Sequence, residues 1–240
     1  MVSFFINNRF LILLALLLSS VSVFSQDAKK DLAAITEVYL GDNAVWIDLE
    51  YSKYVNVVKG NPLEKFPGVA CYLKNSSYQM ADSVESIITD DYSIVVDHKY
   101  KTILKAKLTA LEAEEIKKRS SSLDFSAFLI NFKVLDYKKI NRDSSYYIFK
   151  SKIGEPQEIT MIFNPRNHKM HEVQMKFLMK QDVSSDKTTY FGYPIVRVVY
   201  RTHKKVKKKE EFFTDKRFLI KKGDKEIATK KYRSYKVVVN

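Results

Sequence analysis

The sequence predicts an α+β domain in which an antiparallel β-sheet carries helices on its apolar face. The stretch Ser83–Ala106 contains three short runs of β-branched and aromatic residues, separated by polar turns at Asp90-Asp91 and at Asp97–Tyr100. This composition is typical of a β-meander. Helical periodicity appears before and after the meander. Because a meander needs further strands and a covering helix to bury its apolar face, the two signals together predict the α+β class.

The composition indicates one folded domain. The chain has 240 residues, 45% of them hydrophobic, with few glycines and prolines and no internal repeat or linker-like tract. After a leader is set aside, a single domain over residues 26–240 has enough length for a sizeable core. Cys71 is the only cysteine, so no internal disulfide can form. Its apolar surroundings, Val69–Tyr72, predict a buried and unreactive thiol.

The first 25 residues have the three parts of a signal peptide. Met1–Arg9 carries one positive charge, Phe10–Leu18 is an unbroken apolar run, and Val23-Phe24-Ser25 offers small residues for cleavage. The apolar run is shorter than the roughly 20 residues that span a bilayer. We therefore expect residues 1–25 to be a signal peptide that is cleaved near Ser25, and the mature protein to lie outside the cytoplasm.

The first predicted helix follows at Asp27–Leu40 and ends at Gly41. Its apolar residues recur at helical spacing on one face: Leu32, Ile35, Val38 and Tyr39.

The next stretch, Val45–Val55, alternates as a half-buried strand does. Its apolar side comprises Val45, Ile47, Leu49 and Tyr51. Trp46 falls on the polar side, so we expect a neighbouring loop or the first helix to cover it. Val69–Lys74 and Tyr78–Met80 predict a further strand and its return.

Two helices are predicted after the meander. Leu108–Arg119 begins with Thr109 and Glu112 at the spacing of a capping box. A second helix is predicted to run to about Lys139, because an aromatic and aliphatic stripe recurs at helical spacing: Phe125, Phe128, Leu129, Phe132 and Leu135. The sheet is the large apolar partner available to bury this stripe.

The C-terminal half returns to strand periodicity. The predicted strands are Ser145–Lys150, Glu158–Asn164, His171–Lys180, Ile195–Tyr200, Phe212–Lys221 and the closing segment Tyr232–Val239. Ile195–Tyr200 and Phe212–Lys221 are predicted to pair with each other on either side of the basic loop. Alternation places Met161 and Phe163 on one face of their strand, and Met175 and Phe177 on one face of the next.

The chain is strongly basic, with a formal net charge of +13, and the excess is densest near the C-terminus. A basic surface attracts anionic partners such as phosphate headgroups. The candidate surface for an anionic membrane or an envelope protein is Lys204, Lys205, Lys207, Lys208 and Lys209. A solvated hairpin loop is the simpler alternative. Export argues against nucleic acid as a partner, although basic and aromatic residues interleave here.

No catalytic or metal-binding motif is present in the sequence. The four histidines have no zinc-type spacing, and neither a nucleophile elbow nor a phosphate-binding glycine loop occurs. We therefore expect a protein without catalytic residues, metal or cofactor. A hydrolase whose carboxylates converge from distant strands stays open as an alternative.

The order of the elements, with its signal peptide, resembles the LolA-like family of exported lipoprotein carriers, particularly its uncharacterised Bacteroidetes-type members. The segments that carry the resemblance are Val84–Leu104, Glu158–Lys176 with its Asn-Pro-Arg-Asn turn, and Phe218–Val238. The resemblance implies a strongly curved antiparallel half-barrel whose concave apolar face is covered by helices. It also implies a periplasmic carrier or binder of lipoprotein acyl chains or lipids. The alternative is a non-catalytic structural or accessory protein of a bacterial envelope complex.

In the carrier interpretation, the apolar strand faces form the floor of a ligand cavity and the aromatic helix forms its lid. The predicted cavity residues are Val45, Ile47, Leu49, Tyr51, Phe125, Phe128, Leu129, Phe132, Met161, Phe163, Met175 and Phe177. Methionine side chains adapt to irregular apolar ligands. Whether the aromatic helix is a displaceable lid or part of an ordinary core is left open by the sequence.

Overall fold

A computed structural model of the chain describes residues 28–41, 43–73, 76–109, 111–112, 125–178, 181–182, 191–206 and 212–239. The predicted signal peptide lies outside the described residues, as do most of the predicted helix Leu108–Arg119 and the basic residues Lys207–Lys209.

The domain is built on a twelve-stranded sheet in the order β16-β6-β5-β4-β3-β2-β1-β13-β10-β9-β8-β7. The strands of the chain are β1 (Val45–Val55), β2 (Glu64–Leu73), β3 (Ser76–Ala81), β4 (Val84–Ile88), β5 (Tyr92–Asp97), β6 (Thr102–Lys107), β7 (Phe132–Asn141), β8 (Ser144–Ser151), β9 (Glu158–Phe163), β10 (Met170–Lys176), β11 (Gln181–Asp182), β12 (Phe191–Gly192), β13 (Pro194–Lys205), β14 (Leu219–Lys222), β15 (Lys225–Ala228) and β16 (Lys236–Val239). Neighbouring strands are antiparallel except β16, which runs parallel to β6. Since β16 and β7 are edges, the sheet is not a closed barrel. The predicted antiparallel sheet is confirmed.

The helices among the described residues include α1 (28–40), α2 (Phe125–Asn131) and the short 3-10 helices Asp215–Arg217 and Lys230–Tyr232, and residues 111–112 are helical too. The first predicted helix is confirmed. It ends at Gly41, whose backbone N–H donates to the Glu37 carbonyl at 3.1 Å. A side chain at Gly41 would lie 2.6 Å from that carbonyl oxygen, so the turn needs glycine.

The sheet buries apolar side chains on both faces. A first cluster gathers α1 with β1, β2, β8, β9, β10 and β13, and a second gathers β2 to β6 with the C-terminal segment. Alternation sends Ile47 and Ala70 into the first cluster, and Trp46 and Cys71 into the second. Cys71 is fully buried, and burial raises the pKa of its thiol to about 11, as expected for an unreactive thiol.

The predicted meander is confirmed as β4, β5 and β6, paired in sequence order. The capping box that precedes the next predicted helix is confirmed too. Glu112 accepts a hydrogen bond from the Thr109 backbone N–H at 2.9 Å, and the Glu112 N–H donates to the Thr109 hydroxyl at 3.2 Å.

The predicted helix that runs to Lys139 is wrong in its length. Helix α2 ends at Asn131, and Phe132 opens strand β7, which pairs with β8. Phe132, Val134 and Tyr137 are half-buried while Lys133 and Leu135 are exposed. A register shift between Val134 and Asp136 breaks the alternation of the strand. Because the strand lacks a regular period of two, its sequence did not indicate a strand, and Leu135 of the predicted stripe is exposed.

Two expectations about which segments pack together are also wrong. Residues 212–218 form turns and a 3-10 helix instead of a strand, and β13 pairs with β1 and β10. Trp46 is covered by a distant segment, with its ring centroid 5.8 Å from Tyr78 and 5.0 Å from Phe212. In both cases the decisive partners lie far away in the sequence, where periodicity carries no signal.

Candidate functional site

The first cluster brings together most of the predicted cavity residues. Ten of the twelve lie in it or pack against it: Val45, Ile47, Leu49, Tyr51, Phe128, Leu129, Phe132, Met161, Phe163 and Met175. Phe177 lies just past the end of β10 and is half-buried outside the cluster. The side chain of Phe125 is outside the described residues.

Helix α1 is the element that packs most deeply on this apolar face. Its residues Ala28, Leu32, Ile35 and Tyr39 are fully buried, as are Ile47 and Phe163 of the sheet. The sequence predicted the apolar side of α1 but assigned the covering role to the aromatic helix. The missed signal is that α1 lies next to β1 in the chain, so a short connection lays it against the sheet.

Hydrogen bonds at two points join α1 to the sheet. The Tyr39 hydroxyl accepts from the Met170 N–H at 2.8 Å and lies 2.7 Å from Nε2 of His203. Near the other end of the helix, the Tyr147 hydroxyl donates to the Asp31 carboxylate at 2.8 Å. The other side chains that α1 contributes to the first cluster are apolar, and their burial stabilises the attachment.

Three tyrosine hydroxyls and one histidine ring of this apolar face are held uncharged at neutral pH. Burial raises the pKa of the Tyr39, Tyr72 and Tyr200 hydroxyls well above their usual value. Burial, with the nearby charges of Lys169 and His171, lowers the pKa of His203 to about 4. An uncharged apolar face favours hydrocarbon over an ionic ligand.

The same sheet face continues beyond α1 across β3 to β6. Cross-strand partners share a face, and the register pairs Ile47 with Ala70, Ala70 with Gln79, and Gln79 with Ser86. The row extends from Ser86 to Val95 and from Val95 to Leu104. Val95 and Leu104 are 38% and 47% exposed. The sheet face that is buried under α1 therefore extends, past the polar residues Gln79 and Ser86, to an exposed apolar strip on β5 and β6.

The second cluster is sealed by the C-terminal segment. Ile87, Ile94 and Ile103 are fully buried beneath it. The buried carboxylate of Glu85 fastens this segment by accepting hydrogen bonds from Tyr78 at 3.0 Å and Arg217 at 3.3 Å, with Nε2 of His98 at 2.8 Å. This side of the sheet thus forms an interlocked core.

A polar groove of about 580 Å³ lies beside β9, β10 and β13, on the face opposite α1. Its walls include Tyr54, Thr160, Gln174 and an ion pair in which Arg197 donates to Glu172 at 2.5 Å. That pairing raises the pKa of the Arg197 guanidinium, so the groove keeps a charged side chain in its wall. A groove lined this way does not suit an acyl chain.

The structure describes two residues of the predicted basic surface. Lys204 and Lys205 end β13 and are exposed, and Lys204 donates to the Asp48 carboxylate at 3.1 Å. Lys207, Lys208 and Lys209 lie outside the described residues. Within the described ranges, no three His, Cys, Asp or Glu residues are grouped so that they could hold a metal ion. Nor is any helix in those ranges sufficiently long and apolar to cross a membrane.

Comparison with known proteins yields structural likenesses alone. No family model matches the sequence, and no curated protein matches it. An uncharacterized conserved protein from Thermus thermophilus is similar at a TM-score of 0.49 and 7% identity, covering 89% of this chain and 99% of its own. A LolA superfamily protein from Nitrosomonas europaea has a TM-score of 0.35 and 10% identity, covering 79% of this chain and 98% of its own. A DUF1329 family protein from Desulfovibrio piger has a TM-score of 0.35 and 9% identity, covering 80% of this chain and 98% of its own. Because all three TM-scores are below 0.5, the functional proposal rests on the geometry of this chain.

Proposed function

We propose that this protein is a non-catalytic, periplasmic carrier or binder of lipoprotein acyl chains or lipids. In this proposal the sheet is a strongly curved, LolA-like half-barrel whose concave face carries α1. The ligand occupies the predicted cavity residues of the first cluster and the exposed strip on β5 and β6.

One observation carries the proposal: a single sheet face is buried under a helix at one end and exposed and apolar at the other. The exposed end is formed by Val84, Val95 and Leu104, whose neighbours on the same face include small serines. An acyl chain laid on this strip meets Val95 and Leu104, and it passes Ser86 and Gln79 on the way to the apolar face under α1. It can extend toward the cluster only where α1 yields.

The free energies make exchange of α1 for an acyl chain feasible. Burial of Leu32, Ile35 and Tyr39 stabilises the docked helix by about 5–9 kcal/mol, at 1.5–3 kcal/mol for each large side chain. Each buried methylene of a ligand contributes about 0.8 kcal/mol, so a chain that buries about ten methylenes gains a similar amount. The burial free energies of the ligand and of the helix on this apolar face are thus similar in size.

Charge placed on the exposed strip tests the proposal. The variant is the double substitution Val95→Lys and Leu104→Lys, at positions that face each other in the register. It is expected to weaken binding of a fluorescent long-chain fatty acid at least ten-fold, because two ammonium groups would line the path of the chain. Ile153→Lys is the matched control, since Ile153 is 76% exposed in a loop after β8. Equal binding by the wild type and the double variant, with the fold intact by circular dichroism, would contradict the proposal.

Native mass spectrometry of protein isolated from an envelope fraction separates this proposal from the structural alternative. Co-purified lipid supports a carrier. A lipid-free mass together with a stable protein partner favours an accessory protein of an envelope complex.

A further inference from the structure

The β14–β15 hairpin presents a small apolar pair next to a pair of like charges. The register places Ile220 opposite Ile227 and Lys222 opposite Lys225, with the turn at Gly223-Asp224 between the strands. Gly223 has φ of +61°, the left-handed conformation that such a tight turn requires.

The inner side of this hairpin is anchored to the domain. Leu219 is 3% exposed and packs with Phe218 in the second cluster, and Ala228 packs against the same cluster. The Thr229 backbone N–H donates to the Phe218 carbonyl at 2.8 Å, which closes the base of the hairpin. The hairpin is therefore held in place by its inner side and not by its outer side.

Alternation turns the two isoleucines and the two lysines to the outer side. Ile220 is 50% exposed and Ile227 is 38% exposed. Directly opposed like charges destabilise a hairpin, so the lysine pair at the tip favours an anionic partner. Within the described ranges neither Lys222 nor Lys225 forms an ion pair.

The acidic residues nearby do not neutralise the tip. Glu226 projects from the inner side and, with Asp215, binds the ammonium of Lys105, at 2.6 Å and 2.7 Å respectively. Asp224 lies in the exposed turn and supplies the nearest negative charge in sequence. The outer side thus combines two exposed isoleucines with two lysines against one aspartate.

We propose that the outer side of the β14–β15 hairpin docks on an anionic lipid bilayer. The isoleucine pair enters the boundary between headgroups and acyl chains, and the lysine pair lies among the lipid phosphates. Exposed apolar side chains flanked by lysine are the combination that an interfacial contact requires, because each alone binds weakly and reversibly. This contact uses a different surface from acyl-chain binding and operates whether or not the proposed carrier function holds.

Sedimentation with vesicles tests the proposal on the full mature chain. Vesicles of phosphatidylcholine with phosphatidylglycerol are expected to bind the protein, and vesicles of phosphatidylcholine alone are expected to bind it much more weakly. The double substitution Lys222→Gln and Lys225→Gln is expected to weaken binding about 25-fold, at about five-fold per lysine. The double substitution Ile220→Ser and Ile227→Ser is expected to weaken it by at least ten-fold, because apolar insertion is lost.

Two controls make the outcomes decisive. Ile140→Ser removes an isoleucine that is 52% exposed on the edge strand β7, and Lys138→Gln removes an exposed lysine of the same strand. Both are expected to leave vesicle binding unchanged.

If the hairpin variant with both isoleucines replaced binds as the wild type does, while the hairpin variant with both lysines replaced is impaired, the surface is a general polyanion or protein contact and the bilayer proposal is wrong. Equal binding by all variants, or none by the wild type, also overturns it. Fatty-acid binding measured on the same variants reports separately on the carrier function.

Discussion

At the scale of single residues, Tyr39 and His203 hold the decisive polar contact of the candidate site. They lie 164 positions apart, yet the hydroxyl and Nε2 approach to 2.7 Å. Because Tyr39 also accepts from the Met170 N–H, its own proton is directed to an unprotonated His203 ring. Burial of the ring disfavours its charged form, and the nearby charges of Lys169 and His171 add to this effect. The surroundings of this bond therefore favour neutral His203.

This protonation preference predicts a loss of stability in acid. The pKa of His203 falls from an ordinary 6.5 to about 4 on folding. The unfolded chain thus binds this proton first, and the contribution to stability is complete above pH 6.5 and is lost as the pH falls toward 4. We measure the free energy of unfolding with urea at pH 7.5 and at pH 4.5. Its fall between these two pH values is expected to be about 1–2 kcal/mol larger in the wild type than in His203→Gln, after allowance for the partial exposure of the ring. An identical acid loss in both proteins would show that His203 is not the responsible group.

At the scale of elements, α1 is the part whose attachment decides between a core helix and a displaceable cover. Leu32→Ala removes a fully buried side chain and is expected to lower the free energy of unfolding by about 2–4 kcal/mol. In the carrier interpretation it also weakens the competitor for the apolar face, so affinity for a fluorescent fatty acid rises. Lys29→Ala, at an exposed position of the same helix, is expected to change neither quantity. If stability falls while fatty-acid affinity is unchanged or lower, α1 does not compete with the ligand.

The elements that could be predicted from sequence are those that bury one regular face against a neighbouring element, because their apolar residues then recur with a single period. The β4–β6 meander and the amphipathic α1 are such elements, and the structure confirms them. The misassigned segment is Phe132–Asn141, where a bulge at Val134 and Asp136 breaks the period of two. Phe128 and Phe132 also stack at 4.1 Å between ring centroids across the junction of α2 and β7. Such a contact looks the same in sequence as a contact within one helix.

Long-range packing explains the rest of the difference between sequence and structure. The floor of the candidate site could be predicted from alternation, because Ile47, Met161 and Phe163 need only a strand to share a face. The element that covers it could not, since α1 and the aromatic stripe were equally apolar candidates. The cover of Trp46 comes from Phe212, across more than half of the chain, and no local pattern records it.

At the scale of the whole molecule, the two faces of the sheet are sealed differently. The C-terminal segment is attached to the second face through the Glu85 network and through β16, which pairs with β6. Helix α1 is attached to the first face by burial and by hydrogen bonds at Asp31 and Tyr39. In the carrier interpretation, we therefore expect a ligand to displace the cover of the first face at a smaller free-energy cost than that of the second.

Native-state hydrogen exchange should resolve this difference. Amides of β1 and β2, which have clusters on both faces, are expected to exchange only through global unfolding. Amides of α1 are expected to exchange faster, through a sub-global opening that leaves the sheet intact, and faster still when a long-chain fatty acid is added, because the ligand holds the open form. Exchange of α1 at the rate of β1, with or without fatty acid, would mean that the helix leaves the sheet only when the domain unfolds, and the carrier mechanism would then have no route for its ligand.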